Sequence, residues 1–159
     1  MIFCISTGDM IFFKIIVKAA EKEKSLIHTI NRFNSAFTRR NNYDKIVDLT
    51  IALESVVKEQ NEIKYRFALC HAILAEKDSK KRLSVLKVFE KLYDGRSAIV
   101  HGSIDSRSSI KKINHLINTW DEVLRCASNS MAYCILFNAQ GKTDKLEDHL
   151  KKLVLGVES

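Results

Sequence analysis

The stretch "YDGRSAIVHG", Tyr93 to Gly102, places Arg96 and His101 five positions apart with a glycine on either side. A guanidinium stays charged at every useful pH and grips phosphate oxygens with two parallel hydrogen bonds. An imidazole titrates near neutrality and moves protons. Together they suit a phosphodiester. RNA brings its own nucleophile, the 2′-hydroxyl, so attack on the adjacent phosphate needs only proton transfer and charge stabilisation. That chemistry requires no metal, and the chain has no recognisable metal-ligand cluster. Ser97 is a poorer nucleophile candidate, because "GRSAI" lacks the second glycine of a nucleophile elbow.

On a regular helix, residues five apart diverge by about 140°. Arg96 and His101 converge only if the backbone bends, and Gly95 and Gly102 permit a bend or a close approach of another chain. Asp94-Gly95 is a helix-breaking pair, so the preceding helix is expected to end there. Ile99 and Val100 are expected to anchor the stretch in the core. A purely structural role fits the same residues, with Arg96 paired to Asp94 or Glu54 and His101 capping a helix.

The elements that must hold this stretch are helical. The chain has no proline and five glycines among 159 residues, too few for many strands joined by tight turns. Apolar spacing predicts helices over about 11–37 (with a break near Lys24-Ser25), 43–59, 62–76 and 81–93. Ile110, Ile113, Ile117, Trp120, Leu124, Ala127, Met131 and Cys134 form a heptad seam, supplemented by Leu116, Val123 and Phe137. It predicts one long helix over 107–138, packed at a shallow angle against neighbours or against a second copy. Gly141 is a C-cap candidate, and "KLEDHLKKLVL" closes the chain as an amphipathic segment. The expected architecture is an all-α antiparallel bundle of four to five helices over residues 26–159.

Two of these helices carry polar residues among apolar ones. Glu54 shares a face with Val47, Ile51 and Val57, whereas Asp48 and Ser55 lie off that stripe. A buried carboxylate needs a partner; Lys58, four residues on, offers one at the rim. His71 falls between Phe67, Leu74 and Ala75 and reads as a core histidine.

Lysine and arginine outnumber aspartate and glutamate by 26 to 19, a net charge of +7. Nine basic and four acidic residues lie between Asp78 and Asn118, so +5 of that excess falls around the motif. Lys80, Lys81, Arg82, Lys111 and Lys112 are the candidate RNA-binding residues, although charged residues of this kind also simply coat solvated faces. Cys4, Cys70, Cys126 and Cys134 form no C-x-x-C pair and read as reduced core residues, which points away from zinc and towards the cytoplasm. The apolar segment 1–25 is expected to be an extension or part of a first helix. Its first basic residue is Lys14 and "STGD" interrupts it, against both a signal peptide and a membrane span. A small hairpin at Gly8-Asp9, a lead-in to the first helix and the tail of an upstream domain all fit it.

"LYDGRSAIVHG" resembles the signature of the HEPN superfamily, specifically its ApeA-like domains: an Arg, a polar residue, and a His four to six positions after the Arg. "DLTIALESVV" and "EIKYRFALCHAILA" resemble the two helices expected upstream, and the resemblance spans about 31–135 in the right order. It implies a helical bundle that pairs into a symmetric dimer, with the motifs of both copies lining one cleft. It implies a metal-independent endoribonuclease, without cofactor, that leaves a cyclic phosphate and serves a defence or toxin-like system. Arg96 would hold phosphate, Ser97 would be the polar neighbour and His101 would transfer the proton. Glu54 and Asp48 match the family's acidic helix positions, with Glu54 orienting Arg96 or His101. RNA, a second copy, an antitoxin or an upstream sensor domain are the implied partners, and no membrane. Ser103 stands where members with a minimal nucleotidyltransferase antitoxin usually carry tyrosine. The same superfamily includes non-catalytic RNA-binding and protein-interaction modules, and an ApeA-like remnant of that kind is the alternative.

Overall fold

Three short polar side chains start three of the helices. Asn41, Asp78 and Ser106 hold extended backbone, and their side chains accept hydrogen bonds from the amides of Tyr43, Lys80 and Ser109. Each satisfies an amide that the helix cannot. The structure, a computed structural model, describes residues 24–57, 63–140 and 145–157. The expectations for segment 1–23, for Cys4, for the Gly141 cap and for a Glu54–Lys58 pair fall outside the described residues.

Those residues form seven helices and no strand. They are α1 (Lys24–Thr38), α2 (Asn42–Val56), α3 (Ile63–Ala75), α4 (Ser79–Val100), α5 (Arg107–Asn118), α6 (Trp120–Gln140) and α7 (Leu146–Val154). The all-helical reading holds, with the predicted 107–138 helix split in two and α4 longer than the spacing predicted. Helices α2, α3, α4 and α6 pack on one another, while α1 lies on α2, α5 on α4 and α6, and α7 on α3 and α6. Ile46, Leu49 and Leu53 from α2 meet Phe67, Phe89, Leu92, Leu116, Val123 and Ala127 in the main core. A smaller cluster of Val57, Cys70, Leu74, Cys134 and Leu150 seats α7.

The buried face of α2 is Ile46, Leu49 and Leu53 rather than the predicted Val47–Ile51–Glu54 stripe. Sandwiched between α1 and the other helices, α2 also buries Asp48, which is only 4% exposed. Asp48 bridges Arg32 of α1 and Arg39, just past its end, each at 2.7 Å.

Helix α4 does not stop at Asp94-Gly95. A Cβ on Gly95 would run into Leu116 Cδ1 and sit 3.6 Å from Ile46 Cγ2. The glycine lets Leu116 of α5 and Ile46 of α2 lie close against α4; it makes no bend. The cost of a mid-helix glycine, about 1 kcal/mol, is offset by the apolar contact it admits. Of the two expected anchors, Ile99 packs against the core and Val100 is 52% exposed.

The predicted single helix over 107–138 is broken at Thr119, whose amide and hydroxyl both go to the His115 carbonyl at 3.0 and 2.9 Å. A threonine bonding back onto its own helix competes with the regular ladder. The break shifts the buried stripe to Ile113, Leu116, Val123, Ala127, Met131 and Cys134, and leaves Ile110 at the surface. No helix among the described residues is long and apolar enough to cross a membrane.

Candidate functional site

Arg96 follows Gly95 on α4 and faces α2. Its Nη2 lies 3.6 Å from Glu54 Oε2, with both side chains about three-quarters buried. The Nε of Arg96 is buried and has no hydrogen-bond partner. Burial pushes the Glu54 carboxyl above the ordinary glutamate range, and the Arg96 charge pulls it part of the way back. The structure therefore places Glu54 on Arg96 and not on His101.

His101 is the C-cap of α4, and its amide donates to the Ser97 carbonyl at 3.0 Å. Gly102 follows at φ 69°, the Ser103 amide reaches back to the Ala98 carbonyl at 3.0 Å, and the Gly102 amide reaches Ile99 at 3.3 Å. This is a Schellman close, for which glycine is the favoured residue. The imidazole of His101 is exposed and has no hydrogen-bond partner among the described residues. Ser97 sits one turn back, half-buried.

Because the helix is regular through Val100 and the glycine turn comes only after His101, the two motif side chains keep their divergence of about 140°. A backbone bend that brings them together within one chain is not what forms. Arg96 points to the α2 side, while His101 shares a face with Asp94, seven residues earlier, on the side of α5.

Asp48 does not join this site. Its carboxylate is taken by Arg32 of α1 and by Arg39 just after it, so its visible work is to clamp the end of α1 to α2. The sequence could not show this, because only the packing of α1 on α2 brings the two partners to it.

The candidate basic residues separate into two groups. Lys80, Lys81 and Arg82 open α4, about 30 Å along the axis from His101. Arg82 is already bonded to the carbonyls of Glu76 and Lys77, at 2.9 and 3.3 Å. Lys111 and Lys112 lie on α5 much nearer, with Lys112 Nζ 3.5 Å from Asp94 Oδ2. The sequence reading missed Lys64 of α3, whose Nζ meets Asp94 Oδ1 at 2.7 Å. It also missed Lys91 of α4, 2.8 Å from His115 Nε2 on α5.

His71 is fully buried, edge-on to Phe67 at 4.7 Å between centroids, with Nδ1 2.8 Å from Ser130 Oγ. Its Nε2 makes no regular hydrogen bond. It is a core histidine and lies outside the motif. Among the described residues no group of three or more His, Cys, Asp or Glu could hold a metal ion. Cys70, Cys126 and Cys134 are buried in the core and form no disulfide.

No family model matches the chain, and neither a curated protein nor a solved structure matches it.

Proposed function

We propose that this protein is a metal-independent endoribonuclease of the HEPN type, acting as a homodimer in a defence or toxin-like system of the cytoplasm. The observation that carries the reading is the contrast between the two motif residues. Arg96 is held on Glu54 with one buried donor unused, while His101 ends the same helix with its imidazole open to solvent.

In this reading a neutral His101 takes the proton from the RNA 2′-hydroxyl as O2′ attacks phosphorus. The P–O5′ bond breaks, the departing oxygen gains a proton from solvent, and the products are a 2′,3′-cyclic phosphate and a 5′-hydroxyl. Arg96 stabilises the charge that builds on the non-bridging oxygens. Its 24% exposed side chain is the surface through which a phosphate approaches it beside Glu54. Since Arg96 and His101 of one chain face different ways, each site takes its arginine from one copy and its histidine from the other. A two-fold axis makes two such sites.

One observation favours the alternative of a non-catalytic RNA-binding module. Arg96 already has a carboxylate partner and His101 has a backbone role at the helix end. Incubation with labelled single-stranded RNA in EDTA separates the two. The nuclease reading expects fragments with cyclic-phosphate ends. Intact RNA bound by the protein would support the binding module, and intact, unbound RNA would remove both readings.

A further inference from the structure

The side of α4 that carries His101 also carries an arrangement of lysines that no ion pair fully neutralises. Asp94 is shared between Lys64 of α3, at 2.7 Å, and Lys112 of α5, at 3.5 Å. Nearly one turn earlier on α4, Lys91 Nζ sits 2.8 Å from His115 Nε2, an ammonium donating to an imidazole nitrogen. No carboxylate pairs with Lys91 or His115 among the described residues. Lys87 lies one turn before Lys91 on the same face of α4 and is exposed. Lys64 and Lys112 thus share one carboxylate, Asp94, and Lys91 rests on His115.

An ammonium held on an uncharged acceptor, with no carboxylate paired to it, keeps its charge available to an incoming anion. Lys64 and Lys112 keep about half of their side-chain surface exposed, so their ammonium groups remain open to a second partner. Asp94 and His101 are seven residues apart, two helical turns, so this ledge leads along α4 towards His101 over about 10 Å. A nucleotide step of an extended strand is of comparable size, so a chain of phosphates lying on the ledge reaches the imidazole within a few steps.

We infer that Lys64, Lys91, Lys112 and His115, set around Asp94 between α3, α4 and α5, form the surface that holds the phosphate backbone of single-stranded RNA. This rests on the ribonuclease reading for its choice of ligand and names residues that the cleavage chemistry does not use. The ledge replaces Lys80, Lys81 and Arg82, at the far end of α4, as the main electrostatic contact.

The test uses the full chain carrying His101→Ala, so that bound RNA stays intact, with a labelled single-stranded oligonucleotide followed by fluorescence anisotropy across a salt series. Lys91→Glu with Lys112→Glu should weaken binding at least tenfold. The neutral pair Lys91→Gln with Lys112→Gln should lower the salt slope by roughly 0.7 for each phosphate contact removed. Lys80→Glu with Lys81→Glu should change affinity by less than about threefold. Unaltered affinity in both ledge pairs, or a larger loss from the Lys80–Lys81 pair, overturns the ledge while leaving cleavage by the wild type untouched. A wild-type chain that cleaves RNA but whose binding has no salt dependence overturns it as well. Loss of cleavage with a normal salt slope would instead count against the ribonuclease reading alone.

Discussion

Replacing His101 by alanine is expected to lower RNA cleavage by about 10²–10⁴-fold, the usual range for removing a positioned proton-transfer group. RNA affinity should stay within about twofold, because the imidazole acts on the transition state and adds little to ground-state binding. The fold should survive, since His101 contributes its backbone to the end of α4 and its side chain is exposed. Arg96→Ala should lower both cleavage and affinity, as phosphate is held before and during reaction. It also leaves the half-buried Glu54 without its counter-charge, so Arg96→Lys is the informative companion. Lysine keeps the charge but loses the two-pronged grip, and should restore stability more than activity. Single-turnover cleavage and anisotropy measured on the same samples distinguish these outcomes. Equal losses of rate and affinity in His101→Ala would reassign the residue to binding.

The second large effect concerns stability. Burial pushes the His71 imidazole down to about 3, with the Leu53 backbone opposing, against an ordinary value of 6.5. In the unfolded chain the ring takes its proton near 6.5, whereas in the folded chain it stays neutral until about pH 3. Between these values the unfolded state holds one more proton, so stability falls as pH falls. The slope is about 1.4 kcal/mol per pH unit. Across two units that is a substantial part of the 5–15 kcal/mol typical of a domain. Urea unfolding at pH 6.5, 5.5 and 4.5 should show the loss. In His71→Phe with Ser130→Ala, which removes the titrating ring and its hydroxyl partner together, the slope should drop by about one proton's worth. Because carboxylates titrate equally in both proteins, the difference isolates His71. An unchanged slope in the variant would contradict this account of the core.

How much of this was legible beforehand depends on which interactions are local. Helix starts at Asn41, Asp78 and Ser106 are written in single capping residues, and the absence of proline argues for helices throughout. Gly95 misled, because its reading as a breaker considers only backbone freedom, whereas Leu116 and Ile46 use the missing Cβ for packing. Thr119 misled in the other direction: a heptad count registers apolar spacing and is blind to a hydroxyl that bonds back to His115 and shifts the register. At the site, Arg96, His101 and the misplaced Glu54 were visible as residue types. Their geometry was not, since a pair five apart on one helix points two ways unless something else bends it. Asp48 and the Lys64–Asp94–Lys112 group depend on contacts between residues 9 to 30 positions apart, which no helical spacing encodes.

The claim at the centre of this account is that Arg96 of one copy and His101 of another make each active site. Co-refolding Arg96→Ala chains with His101→Ala chains tests it in one measurement. Random pairing makes about half of the dimers mixed. Each mixed dimer carries one site with both native residues and one with neither, so cleavage in EDTA should return to about a quarter of the wild-type rate. Either variant alone should remain inactive. If arginine and histidine act within one chain, or if the protein does not cleave RNA without metal, the mixture will be as inactive as its components, and the account fails.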